Sequence, residues 1–120
     1  MKILIIEDDD ILGRVLKEKF EKENFSVNLV VSGNAVISSA NKNKPDIILL
    51  DIILSKKDGI TVLRELKADS NLKNIPVIII SNLGDDEKIK ESLKIGAKDY
   101  FIKTQHSINE IVEKVNKYLI

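Results

Sequence analysis

Five short apolar runs recur along the chain, and the stretches between them carry a helical period. The runs lie near residues 2–6, 26–31, 46–50, 76–80 and 99–102. Ile3-Leu4-Ile5-Ile6, Ile47-Ile48-Leu49-Leu50 and Val77-Ile78-Ile79-Ile80 lack the polar alternation of a strand that is wet on one face. Strands buried on both faces imply a parallel sheet covered by helices above and below, so the pattern predicts an α/β fold.

The first intervening helix carries Leu12, Leu16 and Phe20 at four-residue spacing, with Ile11 and Val15 widening the stripe, and it fades by Asn24. Asp9 and Asp10 at its start read as capping residues that suit the positive end of a helix. The second helix has a weaker signal, because Ala35, Val36, Ile37 and Ala40 sit among serines and asparagines. It rests partly on the crossover that parallel strands require, and Pro45 separates it from the third strand. The third, from about Gly59 to Asp69, follows the turn Asp58-Gly59 and buries Ile60, Leu63 and Leu66, and Pro76 marks the next strand. The fourth begins after Gly84 with Asp85 as its cap, turns Ile89 and Leu93 inward, and stops at Gly96. The fifth begins after Thr104 or Ser107 and buries Ile108, Ile111, Val112, Val115 and Leu119.

At 120 residues and 13.5 kDa the chain suits one domain spanning residues 1–120, with no effector domain beside it. Nineteen basic residues balance nineteen acidic ones, so no field draws a nucleic acid or an anionic membrane non-specifically. Partners are then expected to be proteins or small ions. The absence of cysteine removes disulfides, thiolate catalysis and thiolate-bound zinc. The apolar run after Lys2 meets Glu7-Asp8-Asp9-Asp10 rather than a small-residue cleavage site, and a cytoplasmic, membrane-free location is the expectation.

Candidate chemistry lies where the runs end. In an open parallel sheet, functional groups collect beyond the carboxyl ends of the strands. The first run ends in Glu7 and Asp8, the third in Asp51, the fourth in Ser81-Asn82 and the fifth in Lys103. Clustered carboxylates suit a hard divalent cation, and the same edge adds a hydroxyl and an ammonium. Each residue taken alone has a plainer reading: a helix-opening acid, a turn serine, a solvated lysine.

The ordered set Ile5-Ile6-Glu7-Asp8-Asp9, Pro45-Asp46 leading to Asp51, Asp58-Gly59, Ser81, Gly96-Ala97-Lys98-Asp99-Tyr100 and Lys103 resembles the receiver domain of two-component response regulators across essentially the whole chain. The resemblance implies a flavodoxin-like (βα)5 three-layer sandwich with a parallel sheet of order 2-1-3-4-5. It implies that Asp51 accepts a phosphoryl group from a histidine kinase or histidine phosphotransfer protein. Asp8, Asp51 and the backbone carbonyl of Ile53 would ligate Mg²⁺, or Mn²⁺ in its place, with Glu7 acting through a bound water. Ser81 would hydrogen-bond the phosphoryl group and Lys103 would offset its charge. Tyr100 would be an aromatic switch, turning inward as Ser81 moves and altering the face of helix 4, strand 5 and helix 5 toward a downstream protein or a second copy. Such a domain catalyses its own phosphorylation and dephosphorylation and is regulatory. A half-buried core ring is the plainer reading of Tyr100, and a surface or capping role is the reading of His106.

Several residues depart from the family's pattern. Thr104 and Gln105 follow the lysine where proline and an aromatic are usual. A cis bond before Thr104 would cost roughly 3 kcal/mol, so a trans bond and a displaced Lys103 are expected. Ser55 replaces a proline that stiffens the acceptor loop. Asn82 replaces a small residue, so its amide either crowds the phosphoryl site or hydrogen-bonds within it. Ile53 and Leu83 are apolar where polar groups speed dephosphorylation, which predicts a long-lived acyl phosphate. The competing readings are a pseudo-receiver, a binding module without efficient transfer, and a magnesium-dependent phosphohydrolase or flavin-binding protein on a similar sheet. Intact Glu7, Asp8, Asp51 and Lys103 weigh against the first. The others lack a general acid beside Asp51 and a phosphate-cradling loop.

Overall fold

Each apolar run forms a strand and each intervening stretch a helix, as the periodicity predicts. The computed structural model describes residues 1–54, 56–82 and 84–119, so the readings made on Ser55 and Leu83 fall outside it. The element order is β1 (Lys2–Ile6), α1 (Asp10–Lys22), β2 (Ser26–Val30), α2 (Val36–Asn43), β3 (Ile47–Asp51), α3 (Gly59–Ala68), β4 (Val77–Ser81), α4 (Asp86–Ile95), β5 (Asp99–Ile102) and α5 (Ile108–Tyr118). All pairings are parallel and the sheet order is β2-β1-β3-β4-β5, a flavodoxin-like arrangement. The boundary that matters most is one residue off expectation: Asp51 and Ser81 are the last residues of β3 and β4, not the first beyond them.

Alternate residues of the central strands feed two separate cores. Leu4, Ile6, Ile48, Leu50, Val77 and Ile79 pack with Val36 and Ala40 of α2 and with Val62, Leu63 and Leu66 of α3. Ile3, Ile5, Ile47, Leu49, Ile78 and Ile80 pack with Leu16 and Phe20 of α1 and with Ile111, Val112 and Val115 of α5. Each such side chain, taken wholly out of water, contributes roughly 1.5–3 kcal/mol, so both faces of β1, β3 and β4 hold the sheet fixed.

The helix ends follow local chemistry. Asp9 caps α1 by accepting from the amides of Ile11 and Leu12, and Asp58 caps α3 by accepting from Thr61. Asp85 caps α4, and Ser107 with Glu110 forms a reciprocal capping box on α5. α2 is preceded by a 3₁₀ turn, Gly33–Ala35, capped by Ser32, which recruits residues poor in helix propensity. Gly96 ends α4 at φ 132°, a conformation open mainly to glycine.

Two stripe assignments are corrected. Ile11 is 78% exposed, because the inward face of α1 runs through Leu12, Leu16 and Phe20 and the residue before Leu12 is turned about 100° away from it. Leu93 is 45% exposed, and α4 turns Ile89, Ser92 and Ile95 inward instead. Ser92 tolerates full burial because its hydroxyl donates to the Lys88 carbonyl at 2.8 Å. Ile60 is half-buried and Val62 takes the deeper position on α3, while Ile108 and Leu119 are half-buried at the ends of α5. No helix among the described residues is long and apolar enough to cross a membrane.

Candidate functional site

The sheet order sets the site. β3 lies between β1 and β4, so Asp51 ends the central strand with the acids after β1 on one side and Ser81 on the other. The amide of Glu7 donates to the Val30 carbonyl at 3.0 Å, carrying β1 pairing one residue past its end. The amide of Lys103 donates to the Ser81 carbonyl at 2.8 Å and does the same for β5. Glu7 and Lys103 therefore leave the sheet from backbone already held by ladder bonds.

Lys103 joins the two buried carboxylates. Its Nζ lies 2.6 Å from Glu7 Oε1 and 3.0 Å from Asp51 Oδ2. The remaining oxygens are also engaged: Asp51 Oδ1 accepts from the Ile53 amide at 3.1 Å and Glu7 Oε2 from the Asp9 amide at 3.3 Å. Glu7 is 0% and Asp51 4% exposed, Ser81 is fully buried, and Asp8 faces solvent. Glu7, Asp8, Asp9, Asp51, Ile53, Asn82 and Lys103 line a cavity of about 190 Å³. Larger cavities lie elsewhere on the surface but gather no more than two carboxylates among their lining residues.

Burial, together with a hydrogen bond that the protonated Glu7 carboxyl donates to Asp51, pushes Glu7 up to about 7 against the opposing pull of Lys103. Burial works against the Lys103 ammonium, yet its contacts with Glu7 and Asp51 outweigh this and its pKa is raised. One lysine is thus firmly charged between two carboxylates that repel each other.

One carboxylate oxygen from each of Glu7, Asp8 and Asp51 lies within 4.8 Å of the others. The set is all oxygen and anionic, with an open side toward solvent, which fits a small hard cation that keeps part of its water shell. The chemistry of these donors therefore matches Mg²⁺ or Mn²⁺.

Most of the sequence-derived constellation meets here. The expected displacement of Lys103 does not occur. The Lys103–Thr104 bond is trans, as are all peptide bonds among the described residues. The Lys103 amide bond to Ser81, with a turn in which the Gln105 amide donates to the Ile102 carbonyl at 2.9 Å, fixes the loop without proline. Tyr100 is buried in the core on the α2, α3 and α4 face, burial raises its pKa, and a hydrogen bond with Ser81 opposes that rise. The half-buried core reading thus understates its contacts. His106 stands apart from the cavity, 3.4 Å from Glu110 Oε2 and against the Phe101 ring.

Two contributors were not singled out from sequence. The Ile53 amide positions Asp51, a role that no side chain advertises. In sequence Gly59 reads only as part of a turn, yet a Cβ there would stand 2.5 Å from both the Asp51 carbonyl oxygen and the Ile52 Cα. The Asp-Gly pair was the visible signal of this close approach.

A family model described as the response regulator receiver domain matches residues 3–116. Sporulation initiation phosphotransferase F of Bacillus subtilis is 36% identical over 118 residues, covering 98% of this chain and 93% of that protein. Transcriptional regulatory protein RprY of Bacteroides fragilis is 34% identical over 119 residues, covering 99% of this chain but only 49% of RprY. The chain thus spans about half the length of some curated relatives and nearly all of another. A chain of the solved CheX–CheY–BeF3–Mg²⁺ complex from Borrelia burgdorferi superposes with a TM-score of 0.90 at 28% identity, covering 100% of this chain and 90% of that one.

Proposed function

The chain belongs to the response regulator receiver domain family, and on that premise we propose that it is a phosphoacceptor switch in two-component signalling. Asp51 takes a phosphoryl group from a phosphohistidine on a histidine kinase or histidine phosphotransfer protein. The observation that carries this reading is the Lys103 ammonium bridging Asp51 and Glu7 beside Asp8, at the exits of separate strands.

The chemistry follows from charge. An Asp51 oxygen attacks phosphorus, the bond from phosphorus to the donor nitrogen breaks, and the electron pair leaves with the imidazole. Negative charge accumulates on the equatorial oxygens, where the Lys103 Nζ can move from carboxylate to phosphoryl oxygen over a short distance. Asp51 is held by the Ile53 amide, so it does not have to be ordered at the moment of attack. Glu7, Asp8 and Asp51 would hold Mg²⁺, which supplies neutralising charge for the donor's phosphate; its presence in the Borrelia complex supports this assignment. Ser81, buried beside the cavity and hydrogen-bonded to Tyr100, would donate to a phosphoryl oxygen and pass the change to β5 and the α4–β5–α5 face. The domain is regulatory and not a metabolic enzyme. Its balanced charge favours a protein target over nucleic acid.

Intact mass after incubation with Mg²⁺ and a small acyl phosphate tests the function. Wild type should gain about 80 Da and Asp51→Asn should not; an equal adduct on both proteins, or none on either with a cognate kinase present, defeats the proposal. Once the donor is removed, Ile53 offers no polar group to an attacking water, so the adduct should decay over minutes. Decay within seconds contradicts this expectation.

Cation binding should depend on pH because Glu7 must ionise. With its carboxyl at about 7, Glu7 is mainly protonated at pH 6 and mainly ionised at pH 8. Affinity for Mg²⁺ should therefore rise with pH, by about tenfold between these values, with release of a proton on binding near pH 7. Titration calorimetry in buffers of differing ionisation enthalpy reads both quantities, and a pH-independent affinity would count against a cation site that includes Glu7.

A further inference from the structure

Transfer asks two things of Lys103 that pull against each other. Its Nζ must leave the Glu7 and Asp51 oxygens for a phosphoryl oxygen, and the backbone from which it reaches must not move with it. The ion pairs that hold the lysine at rest are therefore the ones it gives up, and the loop needs another anchor. On the strand side that anchor is the Lys103 amide bond to the Ser81 carbonyl. Beyond the lysine, Thr104 and Gln105 are exposed, and the next side chain to sink into the surface is that of His106.

His106 touches both elements that the loop connects. Its ring lies against that of Phe101, with centroids 5.3 Å apart and planes at 56°, within the range over which aromatic rings attract. Phe101 is buried and belongs to the core that β5 shares with Ile111, Val112 and Val115 of α5. On the other side Nδ1 approaches Glu110 Oε2 to 3.4 Å, while Glu110 Oε1 accepts from the Ser107 amide at 3.2 Å as half of the α5 capping box. We infer that His106 is a positioning residue for Lys103, its ring seated on Phe101 and pinning the loop so that the ammonium can change partners without the backbone following; this rests on Lys103 acting on the phosphoryl group transferred to Asp51. The ring rather than its nitrogens carries the role, because Phe101 is buried whereas Glu110 is exposed and a hydrogen bond at 3.4 Å is long.

The test compares wild type, His106→Ala and His106→Phe at pH 8, where Glu7, with its carboxyl at about 7, is mainly ionised. Each is given Mg²⁺ and a small acyl phosphate and transfer is followed by intact mass, while calorimetry without the donor reads Mg²⁺ affinity. Alanine removes the ring, and phenylalanine keeps it but gives up both nitrogens. His106→Ala should accept the phosphoryl group about three- to tenfold more slowly and bind Mg²⁺ at least as tightly as wild type, because a looser lysine competes less for the carboxylates. His106→Phe should bring the transfer rate back to within about twofold of wild type. A general structural defect weakens cation binding along with transfer, so parallel losses in His106→Ala overturn the inference. A wild-type rate in His106→Ala overturns it too, as does a His106→Phe protein as slow as His106→Ala, since the imidazole itself is then the acting group. Absence of any adduct on wild type with a cognate kinase present is distinct from these outcomes and defeats the phosphoacceptor reading on which the inference rests.

Discussion

At a pH high enough to ionise Glu7 in both proteins, Lys103→Met should bind Mg²⁺ about tenfold more tightly than wild type while accepting a phosphoryl group about a hundredfold more slowly. The two effects have one cause. The ammonium sits 2.6 Å from Glu7 and 3.0 Å from Asp51, so it competes with any cation for the same carboxylates. A unit charge at about 4 Å is worth roughly 4 kcal/mol per unit charge at an effective dielectric of 20, and water entering the opened cavity reduces the gain to a fraction of this. In the transition state that same charge is missing from the phosphoryl oxygens. Stability should change with pH as well. Without Lys103 the Glu7 carboxyl rises beyond about 7, further above its ordinary value of 4.5. A carboxyl with a raised folded pKa stabilises the fold below its unfolded value, and that contribution is lost as pH climbs through the folded one. Metal-free Lys103→Met should therefore fall further behind wild type from pH 6 to pH 8. Calorimetry, intact-mass kinetics and thermal melts measure the three quantities. Parallel loss of cation affinity and transfer rate would mean that the lysine acts only as a structural strut.

Gly59→Ala should lower stability by about 3 kcal/mol, roughly 10 °C in Tm, and weaken cation binding with it. The added methyl would meet the Asp51 carbonyl oxygen and Ile52 Cα, both at 2.5 Å, and both are backbone. Neither can rotate away, and the Gly59 amide is already tied to the Ile52 carbonyl at 2.7 Å. Either the first turn of α3 or the end of β3 must shift, and the latter carries Asp51. Gly84→Ala is the control. Its nearest neighbour is the end of the Ile102 side chain at 3.4 Å, so its Tm should stay within experimental error. Equal melting temperatures for Gly59→Ala and wild type would show that the β3–α3 junction is looser than its contacts imply.

These two sites mark the limit of what the sequence makes legible. The parallel sheet is readable because Ile47–Leu50 and Val77–Ile80 are apolar on both faces, a pattern with few alternatives. The carboxylate cleft is readable because strand ends in such a sheet converge. The fine rotation of helices is not: Leu93 and Ser92 adjoin, and only packing decides that the serine goes in, helped by a carbonyl one turn back. Ile11 misleads similarly, since apolarity does not reveal which way the helix turns it, and it faces solvent. The lysine loop shows a subtler gap. Thr104 removes the proline constraint, but the ladder bond to Ser81 is made by backbone and leaves no trace in residue type. Likewise the Ile53 amide that holds Asp51 could stand under almost any side chain.

The most direct measurement is the location of the phosphoryl group. Protein phosphorylated in the presence of Mg²⁺ is reduced with borohydride, which converts an aspartyl phosphate to homoserine, and its peptides are sequenced by mass spectrometry. Homoserine at position 51 and nowhere else is the outcome predicted by an acceptor held between Lys103 and the Ile53 amide. Reduction at Asp8 or Asp9 with Asp51 intact would contradict it.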